Sequence, residues 1–177
     1  MILTLVMGLI NILNNPCTQI YQRFKSDILS PSFSWNYFEG DEATPSYYGH
    51  TILARPGFDG MFMPTQQSEY LLHSNEVLKE IFDHNEMDVK AVLRINVNCT
   101  HYTGGTSSPI HRDHDFPHHN LLIYLSSFQQ GCTSVYSGDV RGVHSPSEDD
   151  IIEFRGLHNM EPPAPGDRRI VLVATYI

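Results

Sequence analysis

The spacing of hydrophobic residues changes about halfway along the chain. In the first half, Ile20, Phe24 and Ile28 recur every four residues, which is typical of one buried face of an α-helix. Pro16, just after Asn15, fits the first position of that helix, because proline lacks the N–H that has no partner there. A second helix is predicted within residues 66–84. Its shared apolar face has four members: Leu71, Leu78, Ile81 and Phe82.

Strands are predicted for most of the rest. Residues 30–64 are rich in proline, glycine, serine and aromatic residues, which favours short strands and loops. Beyond residue 90, short segments rich in β-branched and aromatic residues alternate with turn-forming residues. These segments are AVLRINVNCTH, NLLIYLSS, CTSVYSG, DIIEFRG and RRIVLVATYI. The pattern predicts a mainly β fold of the α+β class, a β-sandwich or jelly roll with helices packed on one face.

The length of the chain predicts one domain. At 177 residues with 41% hydrophobic content it can bury one core, and we expect a single domain over residues 1–177. Residues 1–90 supply strands and covering helices, and residues 91–177 the strand-rich core. The apolar start MILTLVMGLINIL is shorter than the roughly 20 residues of a membrane-spanning helix and has no positive flank. We expect a buried strand there, without a targeting role or membrane association.

Charge and cysteine content narrow the function classes. A formal net charge of -9 with scattered basic residues argues against broad binding to nucleic-acid phosphates. Cys17, Cys99 and Cys132 are odd in number and lack C-x-x-C spacing, so neither a disulfide framework nor a cysteine-bound zinc is expected. A soluble protein of a reducing compartment, the cytoplasm, fits this composition.

The candidate chemistry begins in the stretch HRDHDFPHHN, residues 111–120. If SPIHRDH is a strand, His111 and Asp113 share one face while Arg112 and His114 point the other way. A histidine and a carboxylate so placed are two of the three ligands of a facial iron(II) site, which leaves coordination positions open. An H-x-D pair is common by chance, so it carries weight only together with matching residues later in the chain.

Four elements come after this pair in order. The full series is His111-Arg-Asp113, Tyr124-Leu-Ser, Gly131-Cys-Thr133, Phe154-Arg-Gly-Leu-His158 and an arginine ten or eleven residues later. In order and chemistry, residues 91–177 resemble the core of the iron(II)- and 2-oxoglutarate-dependent dioxygenases, especially the prolyl-hydroxylase-like branch and its small phage-type relatives. Cys132 stands where that family tends to have glycine, which leaves the geometry of this loop open.

The resemblance implies a double-stranded β-helix, or jelly roll, with enzymatic activity. It implies an iron(II) site of His111, Asp113 and His158, with His158 at the end of an apolar strand. The near carboxylate and keto oxygen of 2-oxoglutarate would chelate the iron, and the hydroxyl of Tyr124 would bond its far carboxylate. The implied reaction consumes O₂ and 2-oxoglutarate, hydroxylates a C–H bond of a second substrate, and releases succinate and CO₂.

Two adjacent arginines compete for the far carboxylate, which an arginine grips through two parallel N–H···O bonds. Arg168 fits the family's G-x-R pattern through Gly166. Arg169 fits strand alternation better, and we favour it with Arg168 as the alternative. The residues that then share its pocket face are Val171, Val173 and Thr175. Those that pack away from the pocket are Ile170, Leu172 and Tyr176.

Several further possibilities stay open. The other loop histidines are expected not to be ligands, with at most a role at the rim or in contact with substrate: His114, His118 and His119. The candidates for the pocket wall, without a choice among them, are Asn96, Asn98 and Tyr102. Two other functions are a non-catalytic jelly-roll module that keeps a metal or sugar site, and a cupin-type enzyme, which would prefer an H-x-H pair. The primary substrate is open among a peptidyl residue, a free amino acid and a small metabolite.

Overall fold

The computed structural model describes residues 8–41, 44–57 and 60–177. Within these ranges, helices lie in the first half of the chain and strands make up most of the ordered remainder, as the hydrophobic spacing predicts. The elements are β1 (Ile10–Leu13), α1 (Gln19–Leu29), β2 (Asn36–Phe38), β3 (Tyr47–Ala54), β4 (Thr65–Gln66), α2 (Leu71–His84), β5 (Val92–Thr100), β6 (His119–Tyr124), β7 (Thr133–Ser137), β8 (Val140–His144), β9 (Ile151–Phe154), β10 (Leu157–Met160) and β11 (Arg169–Tyr176).

The strands form two antiparallel sheets. The larger has the order β1-β9-β6-β11-β5-β3-β2, and β4 pairs with β3 at its edge. The smaller has the order β10-β7-β8. Val135 of β7 belongs to one buried apolar cluster with Leu122 and Val171 of the larger sheet, so the two sheets enclose an interior. This is the mainly β, jelly-roll architecture predicted for the chain.

Alternate residues of the central strands serve two separate cores. On β6, Leu121 and Ile123 pack with the helices, whereas Leu122 and Tyr124 face the smaller sheet. Because both faces of β6 are covered, its sequence is a continuous apolar run instead of an alternating one. The helices therefore cover one face of the large sheet, and the other face is left for the interior between the sheets.

The first helix begins later than predicted. Thr18 is its N-cap, with Oγ1 accepting a hydrogen bond from the N–H of Tyr21 at 3.1 Å, so Pro16 lies outside the helix. A threonine oxygen satisfies a free N–H of the first turn directly, which is the stronger start signal. The predicted apolar face holds, since Phe24 and Ile28 are buried. In α2, the buried residues include Leu78, Ile81 and Phe82, as predicted.

The N-terminal strand is less buried than predicted. β1 pairs with β9 at one edge of the large sheet, and Ile12 is 64% exposed. An edge strand has one neighbour, which explains the exposed positions. Residues 1–7 of the apolar run lie outside the described residues. No helix in the described ranges is long and apolar enough to cross a membrane.

Candidate metal centre

His111 and His158 are held opposite each other by their own backbones. The N–H of each donates to the carbonyl oxygen of the other at 3.0 Å, and their ring centroids lie 4.4 Å apart. This is an isolated antiparallel bridge, so SPIHRDH does not form the strand considered from the sequence. Pro109, two residues before His111, has no N–H to give to a ladder, which limits pairing on that side of the bridge.

A sharp turn places His158. β9 ends at Phe154, and Gly156, with φ 94°, redirects the chain into β10. Glycine suits this position because it adopts positive φ without steric cost. His158 therefore lies inside β10, where it pairs with Val135 of β7, and not at the end of the apolar strand as predicted.

Asp113 adds a sheltered carboxylate beside the two imidazoles. Asp113 is 8% exposed, and its Oδ2 lies 3.7 Å from Nε2 of His158. One donor atom from each of His111, Asp113 and His158 lies within 4.8 Å of the other two. The structure thus brings together the three residues that the resemblance implies as metal ligands.

The backbone directs both imidazoles toward this point. Nδ1 of His111 lies 2.9 Å from the carbonyl oxygen of Pro109, and Nδ1 of His158 lies 3.2 Å from that of Gly156. A carbonyl only accepts, so in the neutral form of each ring Nδ1 carries the proton and Nε2 keeps a free lone pair. Metal-binding histidines commonly have this arrangement. Two imidazole nitrogens and one carboxylate oxygen fit iron(II).

Burial and neighbouring charges set the protonation states. Burial opposes ionisation of Asp113, but the guanidinium of Arg94, 2.7 Å from Oδ1, holds the pKa of that carboxyl below its usual value. Burial lowers the pKa of His158, although the nearby Asp113 opposes this. At neutral pH these effects favour an anionic Asp113 and a neutral His158, the forms that bind a cation.

A cavity of about 350 Å³ extends from these three residues into the space between the sheets. Its lining also includes Arg94, Asn98, Thr133, Met160, Arg169 and Val173. Arg94 lies beside Asp113, and in the pairing of β5 with β11 it is opposite Thr175, near the end of β11. Arg169 is the first residue of β11. The candidate metal centre and Arg169 therefore occupy different ends of one cavity.

Arg169 is a buried cation in this cavity. It is 3% exposed, its Nε donates to the carbonyl oxygen of Gly131 at 3.2 Å, and its Nη2 donates to Oγ1 of Thr133 at 3.0 Å. Its guanidinium carbon lies 5.3 Å from the ring centre of Tyr124. No carboxylate of the described chain forms an ion pair with it.

Alternation along β11 separates the two arginines. Arg168 is exposed, and its carbonyl oxygen accepts a hydrogen bond from Ser126 Oγ. Val171 and Val173 lie on the interior side with Arg169. The opposite side packs against the helices: Ile170, Leu172, Ala174 and Tyr176.

Tyr124 contacts Arg169 but is not part of the cavity lining. It is fully buried, and its hydroxyl is 2.8 Å from Oγ1 of Thr133. Thr133 thus joins Tyr124 to Arg169, and it lines the cavity itself. The geometry gives Tyr124 a supporting contact with the arginine through its ring and through Thr133.

The cysteine at position 132 does not disturb the loop before β7. Gly131, at φ 71°, is the residue that needs to be glycine, because an added Cβ would lie 2.8 Å from the Phe128 ring and 3.2 Å from Arg169 Cδ. Cys132 has no positive φ and contacts Ser145 Oγ through its sulfur. Its replacement of the family glycine is therefore accommodated.

The remaining histidines of the loop make other contacts. His114 Nε2 lies 2.7 Å from Oγ1 of Thr175, and His118 Nδ1 lies 2.8 Å from the carbonyl oxygen of Phe116. His119 contacts Glu153 on the helix side of the large sheet. Among the described residues, the three-residue donor group includes none of these histidines.

Sequence reasoning did not identify Arg94 or Thr133 as site residues. The sequence does contain an indication of each residue. Arg94 is the first residue of the alternating polar and apolar run R-I-N-V-N on β5, and Thr133 belongs to the Gly131-Cys-Thr element. Among the wall candidates, Asn98 lines the cavity, while Asn96 is buried and bonds to Asn98. Tyr102 is 45% exposed and does not line the cavity.

Known proteins match this chain in structure. No protein-family model and no curated protein matches it in sequence. A 2OG-Fe(II) oxygenase family oxidoreductase from Burkholderia pseudomallei superposes with a TM-score of 0.68 and 18% identity, covering 95% of this chain and 84% of that one. A prolyl hydroxylase from Trichoplax adhaerens, in complex with a peptide fragment of the hypoxia inducible factor oxygen degradation domain, gives 0.62 and 15%, covering 97% and 84%.

A third solved structure widens the range of chemistry. The non-heme alpha ketoglutarate dependent epimerase SnoN from nogalamycin biosynthesis gives a TM-score of 0.64 and 10% identity, covering 96% of this chain and 78% of that one. These likenesses confirm the fold that the sequence resemblance implied, the fold of the 2OG-Fe(II) oxygenases.

Proposed function

We propose that this chain is an iron(II)- and 2-oxoglutarate-dependent oxygenase that hydroxylates a C–H bond of a second substrate. His111, Asp113 and His158 hold the metal, and Arg169 binds the far carboxylate of 2-oxoglutarate. The observation that carries the proposal is a single cavity with the three donor atoms at one end and a buried arginine at the other. The fold shared with 2OG-Fe(II) oxygenases supports it.

Arg169 gives the cavity its anion specificity. A guanidinium without a carboxylate partner is costly to bury, so the site favours an anionic ligand. Gly131 and Thr133 hold two of its N–H groups and fix the plane of the guanidinium. Its remaining N–H groups are available for a paired contact with a carboxylate, which a lysine does not reproduce. This contact orients 2-oxoglutarate with its keto acid end toward the metal ligands.

Bound iron(II) supplies the O₂ chemistry in which 2-oxoglutarate becomes succinate and CO₂. The chain's own residues bind and orient the reactants. The ionised Asp113 and the neutral imidazole of His158 offer lone pairs without first releasing a proton. Leu122 and Val173 give the cavity an apolar wall that excludes water.

The substrate is proposed only as a class, a peptidyl residue or a small metabolite. The Trichoplax neighbour is in complex with a peptide, and SnoN has been solved with Fe3+, alpha ketoglutarate and nogalamycin RO, so the fold accepts very different substrates. The net charge of -9 weighs against nucleic acid.

Succinate formation tests the proposal. The full chain is loaded anaerobically with iron(II), exposed to O₂ and 2-oxoglutarate with candidate substrates, and analysed for succinate and for oxygenated product. We expect succinate that depends on both iron and 2-oxoglutarate, and none from the Asp113→Ala variant. If the wild-type chain binds iron but forms no more succinate than the Asp113→Ala variant, the proposal is overturned and the non-catalytic module is favoured.

A further inference from the structure

Arg94, on β5, reaches the carboxylate of Asp113 in the loop that precedes β6. Its Nη1 donates to Oδ1 of Asp113 at 2.7 Å. The pair is sheltered, since the side chains are 21% and 8% exposed. Exposed ion pairs contribute little to stability, but a sheltered charge-assisted hydrogen bond fixes the orientation of its partner.

The two oxygens of this carboxylate have different surroundings. Oδ1 is bonded to Arg94, whereas Oδ2 lies 3.7 Å from Nε2 of His158. A second arginine holds the backbone of the same residue, because Arg55 Nη1 donates to the carbonyl oxygen of Asp113 at 2.9 Å. A metal bound by His111 and His158 therefore meets Oδ2.

We infer that Arg94 is a positioning residue that holds Asp113 as a one-oxygen metal ligand. The inference rests on the proposed function. A carboxylate bound through both oxygens would take one more coordination position, and the facial site needs its open positions for 2-oxoglutarate and O₂. By occupying Oδ1, Arg94 keeps that position open.

Arg94 also changes the charge at the site. The positive charge of Arg94 cancels the negative charge of Asp113. The charge of a bound divalent metal then stays available to attract an anionic co-substrate. Arg94 thus serves both coordination geometry and 2-oxoglutarate binding without contacting the metal.

Metal titration of Arg94 variants in the full chain tests this role. Arg94→Met keeps the length of the side chain but removes its charge and donors, and Arg94→Lys keeps a charged donor. Arg141→Met is the matched control, because Arg141 bonds Ser134 and does not line the cavity. Cobalt(II) is the probe, since its visible absorption reports coordination number, and anaerobic iron(II) is titrated in parallel.

We expect Arg94→Met to weaken binding of both metals at least about tenfold and to alter the cobalt absorption, a loss in the range typical of residues that orient ligands. Arg94→Lys is expected within about threefold of wild type, with the wild-type absorption, and Arg141→Met to match wild type. Thermal unfolding of each metal-free variant separates these effects from loss of fold.

Equal affinity and absorption in wild type and Arg94→Met would overturn the role of Arg94 and leave the proposed function intact. Failure of the wild type to bind either metal would instead overturn the metal site and the inference with it. If Arg94→Met does not fold, Arg94→Gln replaces it, because its shorter side chain withdraws from Asp113. A loss of at least about threefold is then expected, and unchanged binding would overturn the inference.

Discussion

Nε2 of His158 lies 3.7 Å from Oδ2 of Asp113, and neither atom makes a hydrogen bond to another described residue. The separation is too long for a hydrogen bond between them. Two ligand atoms that each lie about 2.1 Å from one cation are about 3 to 4 Å apart, so this spacing suits a shared metal. The second nitrogen of the ring and the second oxygen of the carboxylate are already bonded, which leaves these two atoms facing each other.

The first prediction concerns this donor set. His111→Ala, Asp113→Ala and His158→Ala should each weaken iron(II) binding by more than about 100-fold while the fold is kept, because each removes a direct ligand. Anaerobic calorimetric titration measures the affinity, and circular dichroism checks the fold. His84→Ala, at the exposed end of α2, is the control and should bind like wild type. Wild-type affinity in any of the three would remove that residue from the site.

The second prediction separates the two arginines. Arg169→Ala should raise the 2-oxoglutarate dissociation constant at least about thirtyfold, because it removes a buried bidentate partner. Arg168→Ala should change it less than about threefold, since Arg168 is exposed. Titration of 2-oxoglutarate into the iron-loaded chain measures both, and both variants should still bind iron. The reverse pattern would support the G-x-R alignment, and no effect from either would count against 2-oxoglutarate as the ligand.

The central strands could be predicted because burial leaves a strong pattern in their sequence. β6 and β11 are covered on both faces, so NLLIY and RIVLVATY are almost continuously apolar. β8 was missed because it lies at the edge of the smaller sheet and alternates little, with Val140 and Val143 more than half exposed. β10 was missed because only the turn at Gly156 separates it from β9.

The site could be predicted as a set of residues but not as a geometry. The sequence shows the order of His111, Asp113 and His158. It does not show the single bridge that pairs the two histidines, because this bridge depends on tertiary contacts. The same holds for Arg94, whose partner Asp113 is far along the chain and on no neighbouring strand. A contact between a strand and a distant loop produces no regular spacing of residues along the sequence. This ion pair can therefore be identified only from the structure.

The third prediction concerns Thr133, whose Oγ1 lies between the Tyr124 hydroxyl and Arg169 Nη2. Thr133→Val keeps the shape but leaves two buried polar groups without their partner. The free energy of unfolding should fall by about 1 to 3 kcal/mol. The 2-oxoglutarate dissociation constant should rise about three- to tenfold as Arg169 loses a hydrogen-bond partner.

The control is Thr133→Ser, which keeps the hydroxyl and should stay near wild type in both stability and 2-oxoglutarate affinity. Urea unfolding and 2-oxoglutarate titration measure the effects, and a Val variant as stable as wild type would contradict them.

α1 is tied to the loop between β8 and β9 by charged groups. Lys25 Nζ lies 2.6 Å from Oδ1 of Asp149 and 2.7 Å from Oε1 of Glu148, and its side chain is 10% exposed. The hydroxyl of Tyr21 donates to the same Asp149 oxygen at 2.5 Å. Burial alone would lower the pKa of Lys25, but the two carboxylates outweigh it and raise that pKa above its usual value. The helix therefore depends on a charged lysine for part of its attachment.

The fourth prediction is that this attachment weakens at high pH. Because the pKa of Lys25 is higher in the folded chain than in the unfolded chain, its contribution is complete below about pH 10 and declines as pH rises through the folded value. At pH 7, Lys25→Met should lower the free energy of unfolding by about 1 to 3 kcal/mol, since Asp149 and Glu148 lose their cation. This difference in the free energy of unfolding between wild type and Lys25→Met should be smaller at about pH 11.

Urea unfolding at both pH values measures the difference, with Arg23→Met on the exposed face of α1 as the control. A difference that does not change with pH would mean that Lys25 stabilises the helix by packing and not by its charge.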